Sequence, residues 1–369
     1  MKNFKVFYFI LLYLVTPALL YILPASYNIP LKVFYLGSNI IIFLNLLFSN
    51  KFIIEPRSFF FSILLFLLAL LVVFKKDLHW TIPFYYLAGY ISYVQFKYVG
   101  DIQSKLQYLI YGSYLYFIVV YFSKLPNFIN RPDFDENVFY VSSSNTIAII
   151  LNIYLIAYIL SGIYNNKLQH KKVVLFGIIN IILIFIQQSR VGLLVAIIIL
   201  FIPWHSSFNK KSISKFLFPT FILGIIYFLI QLYTTDLGIG DFSFDGYLLD
   251  SRGIIQFLFF SNLSGDLIFW GYPLDYIYFA EFERVYNMFL LNYIYTTIIG
   301  FILIIYFFFF RILNSKRYFF PTILLLPIVL YGMVEEIFLP MGWDFLLYLI
   351  LFLKAKNSYT NSNIKTIND

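Results

Sequence analysis

What most constrains this chain is a succession of apolar runs, with charge confined to the stretches between them. SFFFSILLFLLALLVVF (58–74) and TIAIILNIYLIAYIL (146–160) are two of them. An α-helix rises about 1.5 Å per residue, so about 20 apolar residues cross a hydrocarbon layer about 30 Å thick. Within that layer the backbone must satisfy its own hydrogen bonds, which favours helices. Composition agrees: 61% of the chain is hydrophobic, 22% is aromatic and only 12% is charged, where a soluble domain carries about 25% charged residues. The expectation is an all-α integral membrane protein with about twelve transmembrane helices.

The spans are placed at 4–23, 31–48, 58–74, 80–96, 106–122, 142–160, 173–188, 190–204, 216–233, 286–310, 319–334 and 338–353. Residues 1–354 form a single polytopic domain and 355–369 a short tail. The first run follows a basic flank and is too long for a signal-peptide core, so it reads as an uncleaved helix. The span at 80–96 is short and mixed in character. No internal repeat is evident.

Charge sets the orientation. With both termini cytoplasmic, most of the 26 basic residues fall on the inner side, as the positive-inside rule requires. Most of the 18 acidic residues fall on the other side. The net charge of +8 is therefore a topology signal, and a nucleic-acid footprint is not needed. Zero cysteines remove disulfide, thiol and cysteine–zinc chemistry. The one large extracytoplasmic loop, roughly 234–285, carries many aromatics and the run GIIQFLFFSNL (253–263), which fits short helices on the membrane surface.

Three arginines belong to that outer face: Arg190 in QQSRVGLL, Arg252 in DSRGIIQF and Arg284 in EFERVYN. Arg190 alone reads equally as a snorkelling residue on a tight hairpin, and the other two as surface charges. Together on one face they point toward an anion site, because the guanidinium fork fits phosphate oxygens. SSSNT (142–146) opens a helix, as an N-cap or as a polar patch favouring an anion. Asp133 and Asp135 have the spacing of a metal-holding pair, but beside Glu136 they read first as a solvated acidic loop. His79 is the one histidine on the outer side, an interfacial loop residue more than a general base; His170 and His205 fall inside. Glu335 and Glu336 close a helix on the outer side, as loop charges, as a general base or as arginine partners. Asp344, just inside the last helix, is a further buried partner.

Several of these stretches resemble the O-antigen polymerase (Wzy-type) and ligase superfamily. QQSRVGLLVAIIIL (187–200) is similar to its Ser-Arg-x-Gly block. DSRGIIQFLFFSNLSGDLIFWGYP (250–273) resembles a second block, an arginine followed by an apolar helix and a glycine turn. RVYNMFLLNYIYTTIIGFI (284–302) resembles a third, an asparagine before an apolar helix with glycine near its middle. SSSNTIAIIL (142–151) adds an asparagine at a helix start. Tyr286 stands where ligases usually carry histidine, which favours polymerase over ligase.

The resemblance implies an enzyme at the outer face of the bacterial inner membrane that joins oligosaccharide repeats carried on undecaprenyl pyrophosphate. It implies no cofactor and no metal. The bilayer, a flippase and a chain-length regulator are its expected partners. Arg190, Arg252, Arg284, Asn287 and Asn145 would bind pyrophosphate or glycan, and Glu335, Glu336 or Asp250 would serve as base. A ligase or a lipid-linked oligosaccharide flippase are the competing readings. A polysaccharide acyltransferase is disfavoured by the absence of its basic and histidine motifs.

Overall fold

A computed structural model describes residues 2–23, 27–48, 55–76, 80–99, 102–128, 145–165, 167–186, 189–201, 263–271, 288–313, 324–334 and 343–352. Among the described residues there is no strand. The helices are α1 (Lys2–Ile10), α2 (Thr16–Ile22), α3 (Asn28–Phe48), α4 (Pro56–Lys76), α5 (Ile82–Val99), α6 (Gln103–Phe128) and α7 (Asn145–Tyr164). They continue with α8 (His170–Ile186), α9 (Arg190–Phe201), α10 (Asp266–Trp270), α11 (Met288–Leu313), α12 (Leu325–Val334) and α13 (Asp344–Phe352). A π-helical turn at Leu11–Val15 joins α1 to α2. Pro17 brings no N–H to the preceding turn, and the wider turn absorbs that loss while the Thr16 hydroxyl donates to the Leu11 carbonyl at 2.9 Å.

Asn28–Phe48, Pro56–Lys76 and Thr146–Tyr164 are long and apolar enough to cross a membrane, and Met288–Arg311 is so by length and composition alone; Phe4–Leu20 and Val191–Leu200 are shorter apolar helices. Their setting is that of a membrane bundle. α7 is buried along its whole apolar window, so it runs through the centre. α3 lies at the periphery and turns Ile29, Val33, Ile41 and Phe48 outward. A helix apolar on its outer face as well as its inner one has lipid as its natural solvent.

α5 covers the short mixed span expected at 80–96. Its tyrosines are tolerated because it is buried, with Tyr86, Tyr90 and Tyr93 all nearly inaccessible. The Tyr93 hydroxyl donates to Glu55 Oε2 at 2.5 Å, and Lys97 pairs with the same carboxylate. The Lys97 ammonium also lies 4.3 Å from the Tyr93 ring centroid.

α11 corrects the sequence reading. The span at 286–310 was expected to cross once. Thr297 instead has φ 66° and ψ 177°, inside what is otherwise helix. Phe289 and Phe308 would lie about 28 Å apart along an unbroken helix, yet their ring centroids are 5.7 Å apart. Tyr293 and Phe301 stack at 5.5 Å, closer to the bend. The chain therefore folds back at Thr297 into a helical hairpin. The short arm before the bend and the long arm after it run side by side. Positive φ at a β-branched residue is strongly disfavoured; here the Ile299 N–H donates to Thr297 Oγ1 at 3.3 Å.

Candidate functional site

The Ser-Arg-x-Gly block has a definite local structure. Ser189 caps α9: its Oγ accepts from the Gly192 N–H at 3.2 Å, and its carbonyl accepts from the Leu193 N–H at 2.9 Å. This is the N-cap arrangement that satisfies an otherwise orphan donor of the first turn. Arg190 is then the first residue of the helix. Gly192 is required by packing. A Cβ there would strike the Ala148 Cβ and stand 2.6 Å from Ser189 Oγ.

Around that turn pieces of α6, α7, α8, α11 and α12 meet. Asn152, one turn beyond Ala148 in α7, donates from Nδ2 to the Gly192 carbonyl at 2.9 Å and to the Tyr331 hydroxyl at 2.7 Å. Its Oδ1 accepts from Asn180 Nδ2 at 3.3 Å. Asn180 in α8 also donates to the Leu151 carbonyl at 3.1 Å and accepts from the Tyr114 hydroxyl at 2.6 Å. Gly332, next to Tyr331, has no room for a Cβ because the Met288 side chain occupies that space. Asn152, Asn180 and Tyr331 are wholly buried. A fully satisfied polar network in apolar surroundings holds its helices in one arrangement.

A second polar centre lies one turn further along the short arm of the hairpin. The Tyr86 hydroxyl donates to Asn292 Oδ1 at 2.7 Å, and Ser62 Oγ donates to the Tyr86 carbonyl at 2.8 Å. Thr296 Oγ1 donates to the Asn292 carbonyl at 2.7 Å. Asn292 Nδ2 is buried and has no hydrogen-bond partner among the described residues. Asp344, fully buried in the first turn of α13, stands within electrostatic reach of Tyr35, Tyr86 and Tyr348. A carboxylate at that depth needs such company, since isolated charge is costly in an apolar interior.

The residues expected from the sequence fall into two groups. Asn145 and Arg190 begin α7 and α9. Asp250, Arg252, Arg284, Asn287, Glu335 and Glu336 lie outside the described residues, as do Asp133, Asp135, Glu136, His79 and His205. His170 is exposed at the start of α8. The neighbours of the site residues do come together. Ala148 is three residues from Asn145, Gly192 two from Arg190, Met288 one from Asn287, and Gly332 three from Glu335.

Sequence reasoning passed over Asn152, Asn180, Tyr331, Tyr86 and Asn292. The signal for the asparagines was available: each interrupts an apolar run, and a polar amide inside such a run faces protein and not lipid. Nothing in the sequence identified which tyrosines among 33 would meet them. Among the described residues no cluster of metal-ligating side chains occurs. The chain matches no family model, no curated protein and no solved structure.

Proposed function

We propose that this chain is a membrane glycosyltransferase that polymerises undecaprenyl-pyrophosphate-linked oligosaccharide repeats into O-antigen or a related surface polysaccharide. In this reading it works at the outer face of the bacterial inner membrane, as a bundle of about twelve spans with both termini cytoplasmic. The observation that carries it is the meeting of Ala148, Gly192, Met288 and Gly332 about Asn152. Covalent connection keeps Asn145, Arg190, Asn287 and Glu335 within three residues of those contacts. The first three lie in stretches whose motifs resemble the polymerase family, and Glu335 is the candidate base.

The proposed chemistry follows from the group that leaves. A hydroxyl of one lipid-linked repeat attacks the anomeric carbon of the growing glycan. A C–O bond forms there, the bond to pyrophosphate breaks, and its electron pair departs with the lipid pyrophosphate. Arg190, with Arg252 and Arg284 from the long loop, offsets that developing charge, and preorganised donors of this kind contribute several kcal/mol. Asn145 and Asn287 bind pyrophosphate or glycan. Glu335 or Glu336 takes the proton of the attacking hydroxyl, with Asp250 behind them. A flippase and a chain-length regulator are its natural partners.

One observation favours a second reading. The helical hairpin at Thr297 is the kind of interrupted helix that transporters place at a substrate site, so a lipid-linked oligosaccharide flippase is the alternative. Gene deletion separates the two. The deletion strain is complemented with wild type, Arg190→Ala, Arg252→Ala and the pair Glu335→Gln with Glu336→Gln. Surface glycan capped by a single repeat, with a ladder restored only by wild type, supports polymerase. Repeats trapped on the cytoplasmic face overturn it in favour of a flippase, and full-length polymer stranded on the carrier overturns it in favour of a ligase. A ladder restored by the double glutamine variant removes Glu335 and Glu336 as the base.

A further inference from the structure

The bend of the hairpin is covered by α10, a helix of only five residues. A helix so short does not hold itself together, and its place must come from contacts with its surroundings. Two of its four apolar side chains, Leu267 and Trp270, are partly buried, while Ile268 and Phe269 remain 49% and 40% exposed. The directional contacts are polar and fall on the backbone carbonyls of α10. The Lys76 ammonium donates to the Trp270 carbonyl, and the Tyr293 hydroxyl donates to the Ile268 carbonyl. Gly271, with φ +68°, then lays the chain against the Tyr293 carbonyl and the Ile294 backbone.

Lys76 does a second thing. The break at Thr297 leaves carbonyls of the short arm without helical donors, and the Lys76 ammonium reaches one of them, Ile294, at 3.3 Å. One cation thus serves the C-terminal carbonyls of two helix ends, where the helix dipole favours positive charge. Beneath this arrangement Tyr293 and Ile294 are buried, 3% and 0% exposed.

We propose that Asp266–Trp270 is a lid over the bend of the hairpin and that Lys76 is its latch. The lid is fastened by hydrogen bonds to its carbonyls and keeps two of its four apolar side chains exposed, so it lifts when those donors are withdrawn while the bundle beneath stays folded. This holds whether the chain polymerises or transports.

The absence of cysteine makes the test direct. Ile294→Cys is placed under the lid, and Ile156→Cys in the wholly buried α7 serves as control. The rate of maleimide labelling is measured on full-length protein in lipid nanodiscs, alone and with Lys76→Met. Labelling at position 294 is expected to rise at least tenfold with Lys76→Met while position 156 stays unchanged. Tyr293→Phe, which removes one fastening only, is expected to raise it two- to fivefold, and serves if Lys76→Met does not yield folded protein. Unchanged labelling at 294, or an equal rise at 156, overturns the proposal.

Discussion

Replacing Asn152 by alanine tests the convergence on which the site rests. The substitution removes the donations to the Gly192 carbonyl and the Tyr331 hydroxyl, and the acceptor for Asn180 Nδ2. Side-chain hydrogen bonds between membrane helices average about 0.6 kcal/mol each, so three give about 2 kcal/mol. The space left in a fully buried position adds to this, and the expected total is about 2–4 kcal/mol. Equilibrium unfolding in mixed micelles, followed by tryptophan fluorescence, gives the value directly. A double-mutant cycle with Tyr331→Phe isolates the hydrogen bond that ties α7 to the helix ending just before Glu335. A coupling of about 0.6 kcal/mol is expected, and up to about 1.7 if the contact is well shielded. A coupling indistinguishable from zero would mean that Asn152 does not hold Tyr331, and the argument for a shared site would collapse.

Two further outcomes are expected. Gly332→Ala forces Met288 to move and should cost about 1–3 kcal/mol, most of it recovered in a Met288→Ala background; equal cost in both backgrounds would contradict the close approach of α11 and α12. Asn292→Leu alone strands the buried Tyr86 hydroxyl and should cost about 1–3 kcal/mol, whereas Tyr86→Phe with Asn292→Leu removes both partners and should be close to neutral by the same unfolding measurement. A double variant as destabilised as the single one would show that the pair is not bonded.

The sequence by itself determined the solvent and the secondary structure. Apolar runs of this length with so few charges have lipid as their environment and helix as their backbone, whatever the packing. It also determined the start of α9, because Ser189 followed by Arg190 and Gly192 is a local cap with a small residue one turn on. What only the tertiary structure decided was direction. An apolar run such as MFLLNYIYTTIIGFILIIYFFFF has the same composition whether it crosses once or folds back, and its one glycine, Gly300, stands three residues past the bend at Thr297. Its positive φ is held by the arms packing on one another, through Phe289 against Phe308 and Tyr293 against Phe301. The same holds for Asn152. Its presence in an apolar run announced a partner, but Gly192 and Tyr331 lie 40 and 179 residues away, and only packing brings them within a hydrogen bond.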